Sequence, residues 1–303
     1  MTAELPWLGL RPGLIAAGHD DGELRRLRRV GELQTLRRGA YVSAADPRLD
    51  DELVRHRLLI TAGLASLASG AVVSHCSAAV LLGLPLWSIP LDRMHVTRPQ
   101  RTGGRRSRTM HVHTAPLRGE DVIEIGGIAL TSPARTVIDL ARSAPFEAAV
   151  VTADGALRDG LMRSVLADGV ERVAGWRGAA AARRVAAFAD GRSESVGESR
   201  SRVAIVRSGL PAPVPQWEVW RGSALVGRCD FGWPELHAVG EFDGRVKYGR
   251  TLHPGGDLGE VVFDEKLRED ELRAEGLHVA RWTWRDLDAF DTAAARIRRG
   301  LCT

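Results

Sequence analysis

The chain has 303 residues, 42 of them basic and 38 acidic, for a formal net charge of +4, with 44% hydrophobic and 26% charged residues. Those totals exclude a disordered or fibrous chain and a lone small module, and they predict a folded protein of about two domains. A modest net charge does not by itself argue for a nucleic-acid partner. The start, MTAELPWLGLRPG, has neither the basic region nor the apolar core of a secretory signal. The run from Leu58 to Trp87 lacks Asp, Glu, Lys and Arg but is broken by Gly63, Gly70, Gly83 and Pro85, so two buried helices are expected rather than a membrane span. Cys76, Cys229 and Cys302 show no CxxC spacing, which argues against a disulfide framework and a cysteine zinc site and fits a reducing cytoplasm.

In chain order, residues 11–45 read as a short helical unit followed by a hairpin. Leu24, Leu27 and Val30 keep helical spacing, Gly31 ends the helix, and Leu33, Leu36, Gly39, Ala40, Tyr41 and Val42 form the hairpin pattern. Arg25, Arg26, Arg28, Arg29, Arg37 and Arg38 decorate this unit. They are candidate DNA contacts, against the alternative of a solvated arginine-rich helix. His75 lies in a small, apolar run and reads as a satisfied core histidine, as do His111 and His113, which alternate on a strand. The basic stretch Arg98, Arg101, Arg105, Arg106, Arg108 is either a solvated loop or a phosphate contact. Residues 146–192 are alanine-rich and read as a helical connector, and DGRSESVGESR marks entry to the last domain.

From Ser193 the pattern is helix, three strands, helix, strand, helix, an α/β mixed sheet flanked by helices. The helix covers 195–208 and is closed by Gly209; the strands fall at 216–220, 225–231, 236–242 and 278–282, the last after a charged helix stopped by Gly276. Asp230 ends the second strand, and Glu241 and Asp243 share one face of the third. Carboxylates from adjacent strands suit a hard divalent cation such as Mg2+. Ordinary explanations exist for some of them: Asp243 before Gly244 suits a turn, Glu198 three residues after Ser195 suits a capping box, and Lys266 can pair with Asp270. Asp230 and Glu241 interrupt apolar strands and need a partner or a metal there. Only two of the basic residues are lysine, Lys247 and Lys266, which points to places where a compact ammonium is needed, against the alternative of chance.

Two resemblances carry these readings further. GELRRLRRVGELQTLRRGAYV, SHCSAAVLLGLPL, HVTRP and GIALTSPARTVIDLAR together resemble the AbiEi-family antitoxin domains over residues 5–145. That resemblance implies a winged helix-turn-helix (1–45) and a second small α/β domain (46–145), which bind promoter DNA and repress a toxin–antitoxin operon, with a cognate toxin as a further partner. VGESRSRVAIVRSGLPAPVPQWEV, GRCDFGWPELHAVGEFDGRVKY and FDEKLREDELRAEGLHVARWTWRDL resemble the branch of the PD-(D/E)XK nuclease superfamily close to very-short-patch repair endonucleases, over residues 193–290. This implies a restriction-endonuclease-like domain (193–303) behind the connector (146–192). It assigns Glu198 as the helical acid, Asp230 as the metal-bridging aspartate and Glu241 as the third-strand acid. Where the parent motif has lysine this chain has Asp243, so the lysine role passes to Lys247 or Lys266.

The expected function is a cytoplasmic DNA-binding protein with an endonuclease domain using Mg2+ (or Mn2+). Asp230 and Glu241 would hold the ion, Lys247 would orient the attacking water, and Glu198 and Asp243 would complete the coordination. The alternative is an antitoxin-related transcriptional autorepressor with an inactive nuclease fold. A nucleotide-dependent enzyme is disfavoured, since neither lysine sits in a GxxxxGK context.

Overall fold

The structure is a computed structural model that describes residues 7–67, 69–100, 103–244 and 267–301. It is a mixed α/β protein with three sheets among the described residues. Its contacts divide the chain into two units, Met1–Thr152 with Leu161–Ala187, and Ala153–Gly160 with Phe188–Thr303. Residues 146–192, expected as a connector, are thus shared between the units. No helix among the described residues is long and apolar enough to cross a membrane.

The first unit opens with β1 (Leu8–Leu10), α1 (Arg11–Ala16), α2 (Asp21–Arg29), β2 (Leu33–Arg37) and β3 (Ala40–Ser43). The strands form an antiparallel sheet in the order β1-β3-β2. α2 begins where the Asp20 carboxylate accepts the Glu23 N–H at 2.8 Å and ends ahead of Gly31, whose left-handed φ of 80° turns the chain toward β2. Leu14, Leu24 and Tyr41 close a small core with Leu33, which leaves the arginines of α2 on its outer face.

Next come α3 (Glu52–Leu64), β4 (Val72–Val73), α4 (His75–Leu82), β5 (Met94–Arg98), β6 (Arg105–Arg106), β7 (Met110–Thr114), β8 (Val122–Ile125), β9 (Ile128–Thr131) and α5 (Pro133–Ser143). α6 (Phe146–Arg158), α7 (Arg163–Arg172) and α8 (Ala179–Phe188) follow. α3 and α4 are the two buried helices expected between Leu58 and Trp87. A six-stranded sheet runs β6-β7-β5-β4-β9-β8, with β5/β7 and β4/β9 parallel.

The second unit contains α9 (Val196–Arg207), β10 (Val214–Arg221), β11 (Ala224–Trp233), β12 (Ala238–Asp243), a helix over 267–274 (α10), β13 (His278–Thr283), α11 (Trp284–Asp288) and α12 (Asp291–Leu301). Its sheet is ordered β10-β11-β12-β13: the first three strands form an antiparallel meander, and β13 returns parallel to β12 after α10. The parallel return needs a crossover, which α10 supplies.

The first unit holds a buried ionic group. Arg135, 3% exposed, donates to Asp139 at 2.9 Å and to Asp121 at 3.0 Å, and Arg142 donates to Asp139 at 3.3 Å. Both guanidiniums lie over the Trp176 ring. Removing one partner of such a group strands a charge in a medium that solvates it poorly. Asp139→Ala should therefore destabilise the first unit by about 3–5 kcal/mol in chemical denaturation. A loss below about 1 kcal/mol would show that the group contributes no more than a surface pair.

Candidate functional site

The candidate site is built where α9 meets the sheet of the second unit. Ser195 caps α9 by accepting the Glu198 N–H at 3.1 Å. Gly197 lies against Phe242 so closely that a methyl group would overlap the ring, so only glycine lets the first turn approach β12. One turn later Ser201 accepts the Trp282 indole N–H at 2.7 Å, fixing α9 to β13. Gly240 in turn leaves room for Trp282 on β12, since a Cβ there would fall 2.5 Å from its ring. Arg202, also on α9, is held by Asp154 at 2.9 Å and by the Phe188 carbonyl at 2.6 Å. A helix rich in charged residues is thereby buried along most of its length, with Glu198 only 7% exposed.

Glu198 does more than cap. Its Oε1 accepts the Ser195 hydroxyl at 2.8 Å, and its Oε2 accepts the Glu194 N–H and the Gln216 amide, each at 2.8 Å. The same Gln216 nitrogen lies 3.5 Å from Asp230 Oδ1, while Asp230 Oδ2 accepts the Phe242 N–H at 2.8 Å. Gln216 faces Asp230 between the register pairs Pro215–Phe231 and Trp217–Cys229, with φ at +53°. That left-handed conformation costs a non-glycine residue about 1–3 kcal/mol and persists only where surroundings enforce it. Here it aims one amide at the buried Glu198 carboxylate and the half-buried Asp230 carboxylate. Burial raises the pKa of both acids, against the lowering effect of these hydrogen bonds, and Asp230 pushes Glu198 further up by repulsion.

The other expected site residues lie differently. Glu241, on β12, has its oxygens 2.8 Å from Arg268 and 2.9 Å from Arg281, its register partner on β13. Arg281 also meets Glu269 at 2.9 Å. Arg268 lowers the Asp230 pKa as well, so one guanidinium serves both acids. Asp243 ends β12. Among the described residues no three carboxylates bring oxygens within 4.8 Å of one another. Lys247 and Lys266 lie outside the described residues. The sequence does not single out Gln216, because an amide beside Pro215 carries no spacing signal and nothing in its type announces a left-handed backbone.

Of the six arginines expected to contact DNA, Arg25, Arg26, Arg29 and Arg38 are exposed. Arg28, also exposed, lies over the Tyr41 ring at 5.9 Å. Arg37 is half-buried and donates to the Ala62 carbonyl at 2.6 Å near the end of α3, a structural task that sequence spacing does not reveal.

No protein-family profile matches the chain. Two curated relatives, the uncharacterized proteins Rv2248 and MT2308 of Mycobacterium tuberculosis (strains H37Rv and CDC 1551), are 35% identical over 165 residues, which cover 50% of this chain and 61% of theirs. The chain therefore spans less than two thirds of the length of these relatives. The crystal structure of the RV2827C protein from Mycobacterium tuberculosis is similar at 18% identity and a TM-score of 0.38, over 71% of this chain and 84% of that one.

Raised carboxyl pKa values mean that the folded state binds protons more tightly than the unfolded chain. The stability tied to Glu198 and Asp230 is full below the ordinary carboxylate range and is lost as pH rises through their raised folded values. Asp230→Asn keeps an acceptor for the Phe242 N–H and removes one of the two charges. It should melt above the wild type at neutral pH without divalent metal, and this margin should disappear in acid. A variant that melts below the wild type at neutral pH would contradict the repulsion described here.

Proposed function

We propose that this protein is a DNA-binding endonuclease dependent on Mg2+ or Mn2+, and that Glu198, Gln216 and Asp230, with Glu241 on the next strand, form its phosphodiester-cleaving site. The reading takes β1 to β3 with α1 and α2 as a winged helix-turn-helix. It takes α9, the β10–β12 meander, α10 and parallel β13 as the restriction-endonuclease-like core to which the sequence is similar. One observation carries it: a buried carboxylate from α9 and a half-buried carboxylate from β11 converge on a single amide N–H2, both with raised pKa. Two acids held this way gain most from a cation between them.

The donor set fits the ion. It consists of hard carboxylate oxygens with an amide whose oxygen is a further hard donor, which suits Mg2+ or Mn2+ better than a soft metal. Glu198 and Asp230 would hold it, and when bound it supplies Lewis-acid polarisation of the scissile phosphate and an acidified water. Gln216 keeps the two acids at a fixed separation before binding and can offer its Oε1 after a turn of the amide. Arg268 neutralises Glu241 in the resting protein; released from that pair, its guanidinium can bind a phosphate while Glu241 becomes the third acid. Lys247 takes the lysine role, and the exposed Arg25, Arg26, Arg29 and Arg38 bind phosphates of the duplex. The pairing of Glu241 with two arginines favours a second reading, an antitoxin-related autorepressor whose nuclease fold is inert and whose partners are operator DNA and a cognate toxin.

The full chain should cleave duplex DNA with Mg2+ or Mn2+, lose activity with a chelator, and lose at least about 100-fold in rate in Asp230→Asn and in Glu198→Gln. Replacing Arg25, Arg26, Arg29 and Arg38 by alanine should weaken binding to all duplexes and flatten the slope of log affinity against log salt by up to about 3.6. Metal-independent DNA binding without cleavage would support the autorepressor instead. A chain that neither binds nor cleaves DNA would refute both readings.

A further inference from the structure

A second constellation lies wholly within the first unit. β5 and β7 pair in parallel with His95 opposite His111 and Thr97 opposite His113, so all four side chains share one face of the sheet. His75, the first residue of α4, meets that face: its ring stacks on His113 at 3.7 Å between centroids and lies 5.6 Å from His95. His113 Nε2 and His95 Nδ1 share a hydrogen bond at 3.1 Å, whose proton a bound metal would displace. Each of His75, His95 and His113 offers one nitrogen, and the three nitrogens all lie within 4.8 Å of one another. Taken singly, His75, His111 and His113 read as core histidines; only the parallel pairing of β5 and β7 joins them to His95.

Two further features are unusual for a histidine core. His75 is 7% exposed and has a left-handed φ of 53°, a strained backbone that an ordinary buried side chain does not require. The site also borders a cavity of about 400 Å³ lined by His75, His111, His113, Thr97 and Arg142. Behind the ring, Ser74 Oγ lies 3.0 Å from His75 Nδ1 and accepts the Thr97 hydroxyl at 2.8 Å. With the proton on Nδ1, this chain orients the ring and leaves Nε2 as the lone-pair nitrogen, the outer support that metal-binding histidines commonly have. Burial pushes His95 and His113 down to about 3 and His75 well below the ordinary imidazole value.

We infer that His75, His95 and His113 form a binding site for a first-row transition metal of the zinc type, with a coordination position open to the cavity beside Arg142. Imidazole suits Zn2+, and two nitrogens bound tetrahedrally at ~2.0–2.1 Å stand about 3.3 Å apart, close to the His95–His113 separation. Three protein ligands with an open fourth position are the pattern of catalytic or ligand-exchanging zinc rather than of a closed structural site. Arg142 and Arg177 line the cavity together with Asp139, to which Arg142 is paired, so the wall near the open position carries both signs of charge. The site is separate from the carboxylate cluster in residues and in donor chemistry, and does not rest on the nuclease reading.

The test is titration of the full chain, stripped with a chelator, with Zn2+ by calorimetry and with Co2+ by visible absorption. One tight equivalent of Zn2+ is expected. Co2+ should give the d–d bands of a four- or five-coordinate ion, displaced by Zn2+, and X-ray absorption of the zinc-loaded wild type should show three imidazoles. His113→Gln, checked for folding by circular dichroism, should weaken Zn2+ binding by more than about 100-fold, and Ser74→Ala by about 10–100-fold. Asp230→Asn should leave the equivalent intact. A wild type that binds no Zn2+, a zinc shell without imidazoles, or a zinc equivalent that disappears in Asp230→Asn would overturn the assignment. So would a folded His113→Gln protein with wild-type affinity.

Discussion

The contact on which the second unit turns is the donation of one Gln216 amide to the carboxylates of Glu198 and Asp230. Two acids of like charge in a poorly hydrated place repel each other, and each separately loses hydration. An apolar packing of the same volume would avoid both effects. The fold instead sets Gln216 in a left-handed conformation so that its nitrogen, the positive end of the amide, faces the two oxygens. Loss of hydration outweighs what the amide supplies, and both pKa values stay raised. This local conflict is the physical basis for assigning chemistry to the site.

The surrounding residues keep the arrangement from relaxing. α9 cannot move off the sheet without giving up the Ser201–Trp282 hydrogen bond and the contact that Gly197 makes with Phe242. Its far side is tied by the buried pair Arg202–Asp154, whose other oxygen accepts the Asp190 N–H at 2.8 Å. β11 is fixed from the other direction, because Asp230 takes the Phe242 N–H where the ladder pairing of β11 with β12 stops at Phe231–Gly240. Glu198 and Asp230 are therefore presented by rigid elements, and Gln216 lies between them on β10. Such preorganisation is what a metal or phosphate site needs, since a loose first shell loses binding and rate alike.

Much of this frame was legible in the sequence, for identifiable reasons. Gly209, Gly222 and Gly276 punctuate the chain where α9, the β10–β11 turn and α10 end, all three with left-handed φ, and the strands between them show clear apolar runs. Asp230 and Glu241 could be singled out because a carboxylate inside an apolar strand demands a partner, whereas Glu198, at capping-box spacing from Ser195, is marked only by the resemblance to the nuclease superfamily. The partners themselves could not be singled out. Gln216 is distinguished by its backbone conformation, and the arginines that hold Glu241 stand on α10 and β13, far along the chain. The histidines of the first unit were hidden for the same reason: a parallel pair of strands brings together residues 16 positions apart with no periodic trace. Arg37 shows the converse, a residue whose charge suggested DNA and whose side chain is committed to the carbonyl of Ala62.

The central claim is that Glu198 and Asp230 are held apart for a cation, with Gln216 standing where it binds. Diffraction at the manganese edge from crystals of the full chain grown with Mn2+ tests this most directly. The account predicts an anomalous peak in coordination contact with a carboxylate oxygen of each acid, and a Gln216 amide that no longer donates to both. Crystals in which Gln216 still bridges the two acids, with no manganese between them, would contradict it.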